Sequence, residues 1–180
     1  MSSWSEVARH NRVLLGFVLA AVYLWRAQPD WHSLLVGSIL ILPGLALRAV
    51  ASGHLRKNTE ITATGPYAYV RNPLYLGSLI LAAGFTVAAR DWWVAGIVLV
   101  FFLAVYLPVI LSEEAWLRAN FAEFEEYARR VPRLWPHFRR EGAAQGSFSR
   151  ELYLQHREYN ALLGAVAMLA VLVVKLLRFS

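Results

Sequence analysis

From Trp92 to Ser112 the chain runs without a single Asp, Glu, Lys, Arg or His, and with one proline, Pro108. About 20 such residues are what a helix needs to cross the hydrocarbon of a bilayer. In lipid an isolated segment can satisfy its backbone polar groups only as a helix. Four further apolar runs follow the same logic. Leu74 to Ala89 lies between Asn72-Pro73 and Arg90-Asp91. Leu34 to Leu47 reaches spanning length with Trp31 and Arg48 at its two interfaces. Val13 to Trp25 is completed by Asn11, Arg26 and Ala27, and Ala161 to Val174 continues if Lys175 snorkels to the headgroups. The expected fold is all-α: a polytopic transmembrane helical bundle of about five spans with a cytoplasmic amphipathic helix, forming one domain over residues 1–180.

Composition removes the main competitors. Charged residues make up 17% and hydrophobic residues 58%, and mean hydropathy is +0.43, which argues against a disordered chain, a coiled coil or a soluble globule. With no cysteine, disulfide frameworks, thiolate metal sites and cysteine nucleophiles are excluded. The net charge of +6 points to cytoplasmic loops and anionic headgroups rather than nucleic acid. If five helices alternate, thirteen Lys and Arg fall on the side of the chain start, against Arg26, Arg90, Lys175 and Arg178 opposite, with Arg48 in a span end. The positive-inside rule then puts the N-terminus and both long loops, Ala51–Pro73 and Glu113–Glu158, in the cytoplasm of a bacterial inner membrane. No small-residue cleavage site follows the first run, and Gly142 to Ser149 reads as a flexible linker.

Chemistry concentrates in two segments. The first is Gly65-Pro-Tyr-Ala-Tyr-Val-Arg-Asn-Pro-Leu-Tyr-Leu-Gly77. Gly65-Pro66 makes a turn, and Asn72, restricted to extended geometry by Pro73, precedes a helix that opens at the proline. The first turn of that helix could seat an anionic group, beside Arg71, which can bind a carboxylate bidentately. Tyr67, Tyr69 and Tyr75 offer faces for a flat ring or a cation, and Gly77 permits close approach of a backbone or a ligand. The same residues would also serve an ordinary helix start with tyrosine anchors at the interface.

The second segment is Glu113 to Pro136. Two carboxylates follow the uncharged run directly, and Leu117, Phe121, Phe124, Ala128 and Val131 then recur as one face of an amphipathic helix that lies on the membrane or closes over the bundle. Glu114 shares that face and points inward, which is costly unless a cation meets it; a bound cation or Arg71 could be the partner. The plain alternative is a helix N-terminus that favours Glu. The five histidines are scattered with no i, i+4 pair, so no metal site is expected. Ser112 has no recognisable base, and neither G-x-x-x-x-G-K nor G-x-G-x-x-G occurs. Arg48 and His54, at a span end, call for a partner that the sequence does not name.

Together, GPYAYVRNPLYLG (65–77) and EEAWL…FEEYARRVPRLWP (113–136) resemble the isoprenylcysteine carboxyl methyltransferase and phospholipid methyltransferase superfamily, over a core of residues 48–136. These are integral membrane enzymes that use S-adenosylmethionine. The resemblance implies that Tyr67, Arg71, Asn72, Pro73, Tyr75, Gly77, Glu113 and Glu114 bind the cofactor. It further implies that Glu114, Tyr127 and Arg130 serve a lipophilic, membrane-embedded acceptor: a phospholipid amine, an isoprenylcysteine carboxylate or another small lipophile. Asn72 stands where the family usually has histidine, and Ile110-Leu111-Ser112 lacks the arginine that carboxyl methyltransferases carry before the two glutamates. An extra C-terminal helix, residues 159–178, follows the motif tail. Two other readings remain at this level. One is a sterol-type reductase holding NADPH through Arg129, Arg130 and Arg133; the other is a non-enzymatic lipid-binding or scaffolding bundle.

Overall fold

A computed structural model describes residues 3–57, 59–137 and 146–179. Helices α1 (Ser3–Arg26), α2 (Trp31–Ser52), α3 (Pro73–Ala89), α4 (Trp92–Asn120) and α7 (Tyr159–Phe179) form the bundle. Two short helices, α5 (Phe124–Arg130) and α6 (Arg150–Gln155), and a 3₁₀ turn at Gly65–Ala68 lie between them. No strand occurs among the described residues. Each of the five apolar runs lies on one helix. The helices Trp31–Ser52, Trp92–Asn120 and Tyr159–Arg178 are long and apolar enough to cross a membrane, while Leu14–Arg26 and Pro73–Ala89 are shorter apolar helices. Leu42, Val100, Leu163 and Val166 point outward, as side chains meeting lipid must.

The connections between spans are set by local chemistry. Asp30 accepts the Ser33 N–H at 2.7 Å and Ser33 Oγ accepts the Asp30 N–H at 3.0 Å, a capping box that starts α2. Asp91 accepts the N–H groups of Trp93 and Val94 to start α4, and its other oxygen pairs with Arg26 at 2.7 Å. Arg90 pairs with Asp30 across the same end of the bundle. Trp25, Trp31, Trp92 and Trp93 stand exposed around these turns, the belt expected at an interface. Lys175 reaches the polar end of the bundle, where its Nζ donates to the carbonyls of Leu24 and Trp25 at 2.8 and 3.0 Å. There it neutralises the C-terminal end of α1, where carbonyls lack intrahelical donors.

Helices α2 and α3 pack backbone against backbone. Gly37 faces the Gly84 carbonyl and Gly44 faces the Gly77 carbonyl; a Cβ at these two positions would sit 2.6 and 2.9 Å from those oxygens. Small residues at seven-residue spacing are a means of bringing helices together where no hydrophobic drive separates protein from lipid. Within α4, the stretch Phe102–Tyr106 widens into a π-turn, and the Leu107 N–H reaches back to the Phe102 carbonyl. Pro108 accounts for it, because proline supplies no N–H and its ring crowds the preceding turn of a regular helix.

Helix α4 runs unbroken past both glutamates to Asn120. The expected continuous amphipathic helix does not form beyond that point. Phe121 is extended (φ −132°, ψ 115°), and a second helix opens at Phe124. The apolar face survives the break: Phe124, Tyr127 and Val131 are buried, with Leu117, Phe121, Ala128, Ile61 and Ala63 around them. Of the linker foreseen at Gly142 to Ser149, residues 142–145 lie outside the described residues. Phe148 and Ser149 dock on the end of α2, where the Ser149 N–H meets the Gly53 carbonyl at 2.8 Å.

Candidate functional site

The two motif segments meet through their backbones. The N–H groups of Arg71 and Asn72 donate to the carbonyls of Pro132 and Arg133 at 2.8 and 3.2 Å, and the His137 N–H donates to the Tyr69 carbonyl at 3.2 Å. Upstream, Gly65 adopts φ +57°, and a Cβ there would strike the His54 ring, so the Gly-Pro turn requires glycine on both counts. Tyr127 fixes the 3₁₀ turn from above, its hydroxyl donating to the Tyr67 carbonyl at 2.8 Å. Burial holds both phenols neutral, well above the usual tyrosine range; for Tyr67 the neighbouring Tyr127, Glu113 and Glu158 add to the effect.

At the centre lies Glu114, 2% exposed. Its carboxylate accepts from Arg133 Nε at 3.0 Å and from a second Arg133 guanidinium nitrogen at 2.8 Å. It also accepts from Arg71 at 3.3 Å and from Asn72 Nδ2 at 3.0 Å. The carboxylate in turn holds Arg133 even more firmly cationic than free arginine. The demand for a positive partner is thus met twice, by Arg71 as foreseen and by Arg133. The arginine was legible only in that it belongs to the Val131-Pro-Arg-Leu-Trp-Pro136 tail; nothing in its spacing named its partner.

Asn72 leaves the helical region before Pro73 but stops short of fully extended backbone (φ −123°, ψ 60°), and it does not cap α3 with its side chain. It spends its amide on Glu114 and on the Arg133 carbonyl. A neutral donor at this place needs no proton change to hold the cluster together.

The remaining predicted residues divide. Pro73 is buried at the first position of α3, and Tyr75 packs edge-on against Tyr106 with ring centroids 5.7 Å apart. Gly77 faces α2: a Cβ there would lie 2.6 Å from Arg48 Cγ, so its openness serves a helix contact. Arg130 is not brought to Glu114 and Tyr127. It projects from α5 into an exposed pair with Glu126 at 3.3 Å, the i, i+4 contact its spacing allows. With Arg133 turned to Glu114, it and Arg130, two of the three arginines read above as a 2′-phosphate pocket, pair with different carboxylates.

Glu113 behaves unlike its neighbour. It is half-buried, and among the described residues it forms no hydrogen bond or ion pair, while lying in the electrostatic surroundings of the Tyr67 hydroxyl. Arg71 Nε and His137 Nδ1 are buried nitrogens with no hydrogen-bond partner among the described residues. Arg71 and Arg133 together outweigh Glu114 by one positive charge, and Glu113 supplies one unmatched negative charge beside them. Such an arrangement is suited to a zwitterion. Among the described residues no group of three or more His, Asp or Glu side chains is placed to hold a metal ion.

Known proteins and a family model match this sequence. The nickel-cobalt-cadmium resistance protein NccN of Alcaligenes xylosoxydans xylosoxydans is 33% identical over 167 residues, covering 82% of this chain and 78% of that one. The cobalt-zinc-cadmium resistance protein CzcN of Cupriavidus metallidurans is 31% identical over 134 residues, covering 69% of this chain and 61% of that one. No solved structure matches. The phospholipid methyltransferase family model matches residues 32–123, from α2 through both glutamates. With its membrane helices, its paired motifs and that match, the chain belongs to the phospholipid methyltransferase family.

Proposed function

We propose that the protein is a membrane methyltransferase that binds S-adenosylmethionine at the junction of α3 and α4 and methylates a lipophilic acceptor. The observation that carries this reading is a pair of ionic groups at that junction with hydrogen-bonding capacity left over. Arg71 Nε is a buried donor without an acceptor, and Glu113 is a half-buried carboxylate without a donor, among the described residues. They are of opposite sign, one within the Glu114 cluster and one next to Glu114 in the chain, so they suit the carboxylate and ammonium of an amino-acid moiety. The Tyr67 hydroxyl, Tyr75 and Glu113 give electron-rich surroundings for a sulfonium.

When bound, this cofactor supplies an electrophilic methyl group on sulfur. The chain's own residues then have mainly to orient and to exclude water, because in-line displacement gains most from positioning. Glu114 acts indirectly, by fixing Arg71. Glu113 offers a negative charge beside the reacting centre.

Three observations support a lipophilic acceptor. Helix α3 has 17 residues and rises about 25 Å, roughly 5 Å less than the hydrocarbon thickness. Arg90 and Asp91 tie its far end to the turn at residues 26–30; with that turn at one interface, its first turn would stand below the headgroups on the other side. The neighbouring surface, lined by Tyr75, Phe101 and Tyr106, is apolar and aromatic. In the orientation we infer, the N-terminus and both motif segments face the cytoplasm of a bacterial inner membrane, where a soluble cofactor has access.

Calorimetric titration of the detergent-purified protein with S-adenosylhomocysteine tests the reading. One-site binding is expected, weakened about 10- to 100-fold in Glu113→Gln for loss of a charged hydrogen bond, with the melting temperature unchanged. Absence of binding by folded protein, or binding of NADPH instead, would overturn it.

A further inference from the structure

The last helix lies outside the residues matched by the family model, yet Glu158, in the turn that leads into it, reaches an arginine that holds the turn on which the proposed site is built. Arg48, near the end of α2, donates from Nε to Glu158 Oε1 at 2.6 Å, and the two side chains are 22% and 10% exposed. The other arm of the same guanidinium donates to the Leu74 carbonyl at 3.3 Å and to Ser78 Oγ. Ser78 Oγ itself donates to that carbonyl at 3.0 Å. Both contacts fall in the first turns of α3, directly after Arg71 and on either side of Tyr75. The stem of Arg48 lies against Gly77, where any side chain would displace it.

A strap of the preceding segment sets Glu158 in place. The Ser149 N–H bonds the Gly53 carbonyl, and His156 Nδ1 meets the Ser52 carbonyl at 3.2 Å. Glu158 also contributes, with Glu113, to the negative surroundings of the Tyr67 hydroxyl. It therefore stands near the Tyr67 side of the site. A buried ion pair is a poor way simply to join two helices, since apolar packing would do so without a desolvation cost. Here the arginine is aimed at one particular turn.

We propose that Arg48 and Glu158 are positioning residues of the cofactor site. Glu158 orients the Arg48 guanidinium, which locks the first turns of α3 and thereby sets the places of Arg71 and Tyr75. This rests on the reading of that site as the cofactor's. It gives the turn that leads into the final helix a function in binding.

The test measures S-adenosylhomocysteine affinity and thermal unfolding of the full-length purified protein side by side. Glu158→Gln should weaken binding about ten-fold, the order expected when a binding group is misplaced from a distance. Its melting temperature should stay close to that of the parent, and Glu158→Asp should recover most of the affinity. Ser78→Ala, which keeps the ion pair but removes one of its anchors, should weaken binding several-fold, and it decides the matter if Glu158→Gln does not fold. Parental affinity in Glu158→Gln or in Ser78→Ala, with the parent binding normally, would overturn the inference and leave the site reading intact. So would losses that merely track melting temperature and are not rescued by aspartate. A parent protein that does not bind at all would overturn both.

Discussion

The α2–α3 pair and the α4–α5 arm hold the same charged cluster from two sides, and they do so by different means. On one side backbone meets backbone, with glycine at each crossing and no space for a methyl group. On the other, α4 widens at a π-turn, breaks at Phe121 and resumes as the short α5. That side is joined to its partner by ionic and hydrogen bonds: Glu114 to Arg71 and Asn72, Tyr127 to the Tyr67 carbonyl. The contrast suggests a fixed wall carrying the α3 turn and a wall fastened by polar bonds carrying the glutamates. Bonds of this second kind can be removed one at a time by substitution, so the contrast is open to experiment.

The largest effect should come from Glu114→Ala. It strands Arg71, whose side chain is 12% exposed, beside Arg133 with no carboxylate, a change that typically costs about 3–5 kcal/mol. Denaturant or thermal unfolding in detergent would show it. A loss below about 1 kcal/mol would mean that the cluster does not fasten the two walls.

An intermediate effect is expected at the glycine contacts. Gly37→Ala sets a Cβ 2.6 Å from a backbone oxygen, and overpacking of this kind costs about 1–3 kcal/mol. Gly164, on the outer helix α7, meets nothing within 4 Å. Gly164→Ala should be neutral or stabilising by up to about 1 kcal/mol through helix propensity. Equal outcomes for the two would erase the distinction between the fixed wall and the outer helices. The smallest loss is expected for Tyr127→Phe, which deletes one hydrogen bond while keeping the ring, for about 1 kcal/mol. The same melting experiment reads it.

Much of the fold was legible because lipid leaves a chain few options. Uncharged length alone located the helices, and Pro and Asp marked their starts. The inward carboxylate at 114 could be read from helical spacing, and Arg71 could be named as its partner because both lie in recognisable motifs. Arg133 and Glu158 were not legible as partners. Each acts across a long loop, and sequence spacing carries no information about which distant charges a fold will pair. The partners of Lys175 were hidden for a related reason: only the tertiary structure offers it the carbonyls of α1. The break at Phe121 was hidden because the apolar face continues through it with helical periodicity. Arg130 lies on the solvent side of α5, so sharing a motif with Tyr127 did not bring it to the same place.

The π-turn in α4 bears on which glutamate is buried. A π-turn accommodates one residue more than the α-helix it interrupts, and each α-helical residue turns about 100°. All side chains after Tyr106 are therefore set back by one place in phase. If the helix were regular throughout, Glu113 would come to about the place Glu114 now holds, and Glu114 would rotate onward by the same angle. The irregularity near the middle of the membrane thus acts as a register mark for its end. It selects which of two chemically identical neighbours becomes the buried anchor and which is left half-buried beside it.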